Sequence, residues 1–432
     1  MFPSILTIEK LVFGGQGLAR TPDGKVVFVW NALPGETVRV DYIKNKKDHL
    51  EATAVEIITP SPHRVVPKDT HYLSSAAWDM MSIEQEEQEK KIIAVEAYNK
   101  IANLIVSPAD IVLENDRSQQ YGYRNKMEFS FAEDETGTIH LAFFERGKNV
   151  RSAITDSCLA NPHIMQTANH ILAWVNEMHI PIRSLKSLIV RSATNATGVT
   201  ETIAALFIKD KLPFSSYPTL STPCIGLDLY YSTHKSPASV PTELLYSTGR
   251  TTLSEHILGT SLQFGLLSFF QINPPIFMRA LKDIAAFLDP KMPLVDYYSG
   301  VGAIGLALAK SRSETILVES SKEAIDFAKA NIEQNSITGA SAFAVPAENM
   351  LEHITSTRQI IVDPPRAGLH DSVVKQLRKA RPPKIIYLSC NISTQARDMR
   401  LLSESYRPIY IKLYNFFPRT PHVEGLVVLE KL

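Results

Sequence analysis

The sequence has few cysteines, no long apolar run and no excess of charge of either sign. Cys158, Cys224 and Cys390 are the three cysteines among 432 residues. They are too few and too scattered for a disulfide framework, which favours a reducing compartment. No run of about 18 apolar residues predicts a membrane span, and the N-terminal residues do not resemble a signal peptide. These absences predict a cytoplasmic protein with no membrane partner.

The chain carries 45 basic and 45 acidic side chains, so its formal net charge is zero. It therefore lacks the overall positive field of a strongly basic nucleic-acid-binding protein, and any contact with a nucleic acid must be local. At about 150 residues per domain, a chain of 432 residues predicts two to four units. A single compact domain is not expected.

Residues 1–59 alternate short apolar and polar runs, separated by glycine and proline turns at 14–17, 22–24 and 34–35. This pattern predicts a small all-β barrel of the OB type, with the clearest strands at 26–29 and 37–40. An ordinary β-rich domain and a nucleic-acid-binding barrel fit the pattern about equally. Lys44, Lys46 and Lys47 tilt the balance slightly towards RNA.

Residues 60–255 are expected to form a central α+β domain. A proline-rich stretch at 60–67 precedes Ser82, which opens a capping box and predicts a helix over 83–102. β-rich segments follow at 127–131 and 188–191. In residues 256–432, strands and helices alternate at βαβ spacing, which predicts a doubly wound, mostly parallel sheet of the Rossmann-like kind.

The strongest local signal is residues 294–305, a strand that turns on Gly300 and Gly302 into a predicted helix. Glycines let a ligand approach the backbone closely, and Glu319 ends the next strand about 20 residues later, where an acid can hold a ribose diol. A glycine turn alone would be weak evidence. Together, these features predict a binding site for a nucleotide-type cofactor.

Three further groups follow the later strands. Asp363 opens Asp-Pro-Pro-Arg after the strand at 359–362, and Cys390 follows the strand at 384–389. The alternatives are a simple turn aspartate and an inert buried cysteine. Because a helix is predicted near Ser393, its N-terminus is expected to lower the pKa of Cys390. His422 and Glu424, near the end of the chain, are candidate acids or bases.

Several blocks in this order resemble the RNA uracil-5 methyltransferases. They are FGLLSFFQIN at 264–273, the DPPR motif with Asp363, the SCN motif with Cys390 and the HVE motif with Glu424. Residues 6–57 are similar to the TRAM domain that heads many members. The resemblance implies a multidomain α/β protein with an N-terminal TRAM barrel, a central α+β domain and a C-terminal class I methyltransferase domain that uses S-adenosylmethionine.

The resemblance also implies a covalent mechanism. Carbon 5 of uracil is a poor nucleophile, so the family adds a cysteine thiolate to carbon 6, and Cys390 matches that residue. Glu424 matches the base that removes the proton from carbon 5. His422 belongs to the same motif and is interpreted as supporting structure. The target base must leave its stack or lie in a loop.

Other residues match positions to which the family gives a binding role. Those expected to contact the cofactor are Gln271, Tyr298, Gly300, Ala303, Glu319, Glu348 and Asp363. Ala303 stands where relatives often have an amide. Arg124 and Lys126 resemble the RNA-facing segment, although a solvated charged strand explains them equally well.

Many relatives hold an iron-sulfur cluster with four cysteines, three of them just after the TRAM domain. The matching stretch here has Asp69, Ser75 and Trp78, and only Cys158 remains of the four. Four thiolates are the usual requirement, so no cluster and no other metal are expected. Packing by Tyr72 and Trp78 is expected to hold the loop at 67–81.

The TRAM domain favours 23S rRNA as the substrate, because bacterial tRNA enzymes of the family usually lack it. Methylation of a uridine in the tRNA T-loop is the second candidate. A third is a non-catalytic RNA-binding protein or chaperone, although Cys390 and Glu424 are both retained. RNA cytosine-5 methylation fits less well, because those enzymes have Pro-Cys where Ser389 precedes the cysteine here. A monomer is expected.

Overall fold

The computed structural model describes residues 4–146, 148, 150–310 and 312–432. Its N-terminal part is a six-stranded sheet in the order β1-β5-β6-β4-β3-β2. The strands are β1 (Ile5–Thr7), β2 (Lys10–Leu11), β3 (Gly17–Arg20), β4 (Val26–Trp30), β5 (Thr37–Asn45) and β6 (His49–Thr59). Alternate side chains such as Val27, Val29 and Val38 are fully buried, which confirms the predicted inward-facing pattern.

A linking region follows, with α1 (Tyr72–Ser75), α2 (Ile83–Ala102) and β7 (Val112–Glu114). The start of α2 is as predicted, because the Ser82 hydroxyl accepts a hydrogen bond from the Gln85 amide at 3.3 Å. An Asn103 backbone in the left-handed region ends the helix. Within the described residues, no helix is long and apolar enough to cross a membrane.

The central sheet has seven strands in the order β10-β9-β8-β11-β12-β13-β14. They are β8 (Lys126–Glu133), β9 (Ile139–Phe144), β10 (Arg151–Ile154), β11 (Leu185–Thr194), β12 (Thr200–Ile208), β13 (Cys224–Tyr231) and β14 (Glu243–Gly249). One helix, α3 (Pro162–Glu177), buries Ile164, Ile171 and Val175 in the same core as the sheet. A 3-10 turn spans Ile182–Ser184, and a hairpin of β15 (Thr252–Ile257) and β16 (Thr260–Gly265) follows.

The C-terminal sheet has eight strands in the order β19-β18-β17-β20-β21-β23-β22-β7. Its strands are β17 (Leu294–Tyr297), β18 (Thr315–Glu319), β19 (Ala340–Ala344), β20 (Gln359–Val362), β21 (Lys384–Ser389), β22 (Tyr406–Tyr414) and β23 (Glu424–Lys431). The helices are α4 (Pro274–Phe287), α5 (Lys322–Gln334), α6 (Asp371–Ala380) and α7 (Ile392–Leu402), with 3-10 turns at Ala347–Asn349 and Leu351–His353. The predicted doubly wound sheet is therefore present.

Strand direction explains how this sheet assembles a site. β17, β18, β20 and β21 are mutually parallel, so their carboxyl ends lie at one edge. β23 runs antiparallel to β21, with Ser389 opposite Gly425. The residues one step beyond this pair, Cys390 and Glu424, consequently lie at the same edge.

Two features differ from the sequence-based expectations. The segment after Gly302 forms consecutive turns over residues 301–308 and not a regular helix. Within these turns, Gly305 lies directly against Asp296 and Leu317 and leaves no room for a Cβ atom. In addition, α2 contributes Val95 and Tyr98 to the C-terminal core, and β7 pairs with β22. Both lie within the proposed central domain, whose boundaries at 59 and 255 stay a prediction.

Candidate active site

A cavity of about 670 Å³ opens at the carboxyl edge of the C-terminal sheet. It brings together eight of the residues predicted to act in catalysis or cofactor binding: Gln271, Tyr298, Gly300, Glu319, Glu348, Asp363, Cys390 and Glu424. Ala303 is not among its lining residues. That residue is half-buried and packs against the apolar core behind the cavity, so the structure gives no support to a direct cofactor contact there.

The glycine turn and the acid at the end of β18 are joined by hydrogen bonds. The Gly300 amide donates to Glu319 Oε2 at 3.2 Å, while Ser321 N donates to Glu319 Oε1 at 2.8 Å. The turn needs left-handed backbone at Tyr298, with φ 63°, and at Gly302, with φ 88°. Glu319 therefore fixes the turn and also lines the cavity.

Two further carboxyl groups, those of Asp363 and Glu424, line the cavity. Gln271 Nε2 donates to Asp363 Oδ2 at 3.4 Å, and burial raises the pKa of Asp363 to about 7. Glu424 Oε2 has no hydrogen-bond partner among the described residues. Burial, and then the charge of Asp363, raise the pKa of Glu424 well above its ordinary value. Two adjacent carboxyl groups resist simultaneous ionisation, so the pair retains a proton.

The Cys390 thiol is half-buried beside these acids. Burial, followed by the charges of Glu424 and Asp363, raises its pKa to about 11. The expected lowering by the α7 N-terminus is therefore wrong for the free protein. The physical reason is the burial of the thiol and the nearby carboxyl groups. At the start of α7, Asn391 Oδ1 accepts hydrogen bonds from Ser393 N at 3.1 Å and Thr394 N at 3.4 Å.

Arg366 is a site residue that we did not single out from the sequence. Its side chain lines the cavity, and its positive charge lowers the pKa of Cys390 and of Glu424, against the larger effects that raise them. Its carbonyl oxygen accepts hydrogen bonds from Asn391 Nδ2 at 2.9 Å and Thr394 Oγ1 at 3.2 Å. The arginine of the DPPR motif was the available signal. Phe269, 67% exposed, lines the same cavity and was also missed.

The two residues expected to face RNA lie elsewhere. Arg124 and Lys126 line a second cavity of about 340 Å³, together with His422. Burial, with help from nearby cations, lowers the pKa of His422 to about 4. His422 therefore lines the second cavity and not the cofactor cavity, although Glu424 follows it by only two residues.

A buried ionic network holds the loop at 67–81. Arg419 Nε donates to Asp79 Oδ1 at 2.9 Å, and Arg419 N donates to Glu86 Oε2 at 2.9 Å. Lys90 Nζ donates to Glu86 Oε1 at 2.7 Å. These four charged side chains are at least 97% buried, so each partner compensates the others in a region that water does not reach.

Aromatic residues tie the same loop to the N-terminal sheet. Tyr72 donates through its hydroxyl to Asn31 Oδ1 at 2.6 Å, and Trp78 Nε1 donates to Gly15 O at 3.1 Å. Among the described residues, no group of three or more histidine, cysteine and acidic side chains is arranged to hold a metal ion. The Cys158 amide instead donates to Asp69 Oδ2 at 2.9 Å.

Comparison with known proteins agrees with this geometry. Residues 263–432 match the family model of tRNA (uracil-5-)-methyltransferases, and residues 6–55 match that of the TRAM domain. An uncharacterized RNA methyltransferase of Lactiplantibacillus plantarum is 28% identical, over 99% of this chain and 92% of its own. One from Caldanaerobacter subterraneus subsp. tengcongensis is 28% identical over 98% of both chains.

Among solved structures, the tRNA (uracil-54, C5)-methyltransferase of Pyrococcus abyssi, in complex with S-adenosyl-L-homocysteine, has a TM-score of 0.78. It is 22% identical, and the match covers 99% of this chain and 100% of that one. At this identity the likeness shows the multidomain α/β fold. The two family models and the relatives support an RNA uracil-5 methyltransferase domain at residues 263–432, preceded by a TRAM domain at residues 6–55.

Proposed function

We propose that this protein methylates carbon 5 of a uridine in RNA, with S-adenosylmethionine as methyl donor, Cys390 as nucleophile and Glu424 as base. The observation that carries the proposal is the placement of Cys390 beside Glu424, across the β21–β23 pair. Both residues line the cavity that also holds the glycine turn. A cysteine and a carboxylate on one reacting base are what uracil-5 chemistry requires.

The cavity suits the cofactor by size and by charge. Its volume of about 670 Å³ is in the range of ligand pockets, roughly 300–1,000 Å³. In this proposal Glu319 holds the ribose and Glu348 the adenine end, while Gln271 and Asp363 lie towards the reacting end; all four residues line the cavity. S-adenosylmethionine supplies an electrophilic methyl group when bound, and its positive sulfonium complements this acidic lining.

The protein groups divide the reaction between them. The Cys390 thiol gives its proton to solvent water, and Sγ bonds to carbon 6 of uracil, so that the electron pair of the ring's double bond becomes available at carbon 5. After methyl transfer, a Glu424 carboxylate oxygen takes the proton from carbon 5, and the Sγ–carbon 6 bond breaks to restore the double bond. Arg366 is the cation that favours the Cys390 thiolate.

The target RNA is part of the proposal. We favour a uridine in 23S rRNA because the chain carries a TRAM domain, and we keep a T-loop uridine in tRNA as the second candidate. The second is favoured by the structural relative from Pyrococcus abyssi, which matches the chain over its whole length and is a tRNA enzyme. A monomer acting in the cytoplasm is our working assumption for the assay.

The test is nucleoside mass analysis of unmodified 23S rRNA and tRNA transcripts after incubation with the protein and S-adenosylmethionine. We expect 5-methyluridine on one of them, and none with Cys390→Ala or Glu424→Gln. Cys224→Ala, which changes a cysteine buried in the central sheet, should retain activity. RNA binding without product from the wild-type protein would favour the non-catalytic alternative.

The covalent step has its own test. With RNA that carries 5-fluorouridine at the target, Glu424 has no carbon 5 proton to remove, so the Sγ–carbon 6 bond cannot break and the complex should survive denaturing electrophoresis. Cys390→Ala should give no such complex. Methylation without a trapped complex would contradict the covalent mechanism while leaving the reaction itself in place.

A further inference from the structure

Three cations converge on the cavity of about 340 Å³ that contains His422. Arg124 and Lys126 come from the start of the central sheet, and Arg146 comes from the loop after β9. In the part of the chain that the structure describes, none of the three forms an ion pair, although many other basic side chains do. In a protein with a formal net charge of zero, this is a local excess of positive charge.

The position of Arg146 is fixed by two contacts. Its Nε donates to the Leu73 carbonyl oxygen at 2.6 Å, and its guanidinium lies over the Trp30 ring, 4.5 Å from the centroid. These contacts use one face and one nitrogen, which leaves the terminal guanidinium nitrogens for a ligand. Trp30 belongs to the N-terminal sheet, so the TRAM domain seats an arginine that reaches a cavity outside it.

The rest of the lining combines apolar side chains, such as Met127 and Phe143, with polar ones. Ser74 and Thr420 contribute hydroxyl groups, and Glu128 is the carboxylate that also lines it. Glu128 accepts a hydrogen bond from Ser239 Oγ at 2.6 Å. The lining thus has three basic side chains and one carboxylate. Its excess positive charge would attract an anion.

The pKa of His422 reflects the positive charges near this cavity. After burial, the effects that lower its pKa are the charges of Arg366, Lys90, Arg124 and Arg146, in that order. Two of these cations, Arg124 and Arg146, line the cavity together with His422. A bound anion would relieve the repulsion among them.

The cavity is separated from the active site by very little structure. Asn125, between Arg124 and Lys126, donates through Nδ2 to the Gln271 carbonyl oxygen at 2.9 Å. On the other side, His422 lines this cavity while Glu424 lines the cofactor cavity. A polymer whose base enters the active site would therefore carry its backbone past this positive region.

We propose that Arg124, Lys126 and Arg146 form a binding site for a backbone phosphate of the RNA next to the target uridine, with Arg146 seated by Trp30 of the TRAM domain. This inference rests on RNA being the substrate, as proposed above. It assigns a role to Arg146 and Trp30 and gives the TRAM domain a direct part in positioning the substrate strand. Backbone contacts of this kind position the nucleic acid and carry no sequence information.

Because phosphate contacts are independent of sequence, a labelled oligouridylate of about 12 nucleotides is a sufficient probe. We would measure its dissociation constant by fluorescence anisotropy from about 50 to 300 mM salt. For a single strand, each lost phosphate contact reduces the slope of log K against log salt by about 0.7. Arg146→Ala and Arg124→Ala should each show this reduction, with about threefold to tenfold weaker binding at the low end of the range.

Lys148→Ala is the matched control, because Lys148 lies in the same loop but pairs with Glu145 at 3.0 Å. It should keep the wild-type slope. Trp30→Leu should reproduce part of the Arg146→Ala effect. Trp30→Phe keeps an aromatic face under the guanidinium and should therefore bind the probe like the wild-type protein. Thermal melting of each variant separates lost binding from lost folding, and Arg146→Gln is the substitute if Arg146→Ala does not fold.

The proposal is overturned if Arg146→Ala keeps the wild-type slope, if Lys148→Ala loses as much as Arg146→Ala, or if the wild-type protein does not bind the probe at low salt. Failure of the proposed reaction would be seen separately. Oligouridylate binding requires no methyl transfer, so an inactive protein can still show the expected slopes, and an active one can fail to show them.

Discussion

Cys390 is held protonated in the free protein by its surroundings. Burial and two neighbouring carboxyl groups raise its pKa to about 11, and Arg366 opposes them only in part. The thiolate that attacks uracil must therefore be generated after ligands enter the cavity. A positive charge placed there is the simplest means, because an opposite charge close to an ionisable group favours its charged form.

This argument predicts a difference between two nearly identical ligands. At about pH 8, alkylation of Cys390 by iodoacetamide should be faster with S-adenosylmethionine bound than with S-adenosylhomocysteine, which lacks the methyl group and the positive charge. Peptide mass analysis of Cys390, with Cys224 as internal control, gives the ratio. Equal rates with the two ligands would show that the sulfonium does not act on the thiol.

Glu424 should make the protein less stable as the pH rises. Its folded pKa is raised above the unfolded value, so the folded state binds more protons in that interval and stability falls as pH increases through it. Asp363, with a pKa raised to about 7, acts with the same sign. Glu424→Gln removes the ionisation but keeps the shape of the protonated acid.

We therefore expect Glu424→Gln to melt about 2–4 °C above the wild-type protein near pH 8, and at the same temperature near pH 4, where both forms are neutral. Circular dichroism melts across this range measure the difference. Glu404→Gln, which changes an exposed acid, is the control. A wild-type protein that is the more stable of the two at the higher pH would contradict the raised pKa.

At the scale of elements, the segment from β17 through its glycine turn to β18 shows what could and could not be predicted from the sequence. The strand, the turn and the acid at Glu319 were predicted correctly, because each rests on local rules for glycine and strand ends. The helix after Gly302 was wrong. Residues 301–308 form turns instead, and the close contact of Gly305 with Asp296 and Leu317 is one that no local pattern predicts.

Gly302 and Gly300 differ in the space that each leaves for a Cβ atom. A Cβ on Gly302 would lie 2.6 Å from Leu306 Cδ1, whereas one on Gly300 would meet nothing within 4 Å. Both have positive φ, so alanine pays about 1–2 kcal/mol of backbone strain at either position. We expect Gly302→Ala to lower the melting temperature more than Gly300→Ala does, measured by circular dichroism. Equal losses would exclude the packing argument.

The ionic network of Asp79, Glu86, Lys90 and Arg419 was not predictable. Asp79 and Arg419 are 340 residues apart in sequence, and buried pairing between distant charges leaves no periodic pattern. Ser82 and Asn391, by contrast, mark their helix starts through side chains that bond to amides two or three residues away. Local contacts were visible in the sequence, and long-range ones required the fold.

At the scale of the whole molecule, the TRAM domain is joined to the segment that carries the proposed base. Gly15 packs against Pro421 and Trp78 with no space for a Cβ atom, which would lie 2.7 Å from Pro421 and 3.0 Å from Trp78 Nε1. The domain order was predictable from turn spacing and βαβ alternation. This joint was not, because the glycine turn gave no information on which surface it faces.

Gly14 provides a matched control for this joint. Both glycines have φ +98°, but a Cβ on Gly14 would meet nothing within 4 Å. Gly15→Ala should therefore lower methylation of RNA several-fold more than Gly14→Ala does, because only the first displaces Pro421, three residues before Glu424. S-adenosylhomocysteine affinity should be equal in the two variants. Equal activity would show that the joint does not position the base.

The raised pKa of the Cys390 thiol has a consequence for survival of the protein under oxidative stress. Peroxides react with thiolates and only slowly with thiols, so a cysteine with a pKa of about 11 is resistant to sulfenic acid formation between turnovers. Burial also raises the pKa of Cys158 and of Cys224. All three thiols are thus held in their least oxidisable form, and the nucleophile becomes vulnerable only while its substrates cover it.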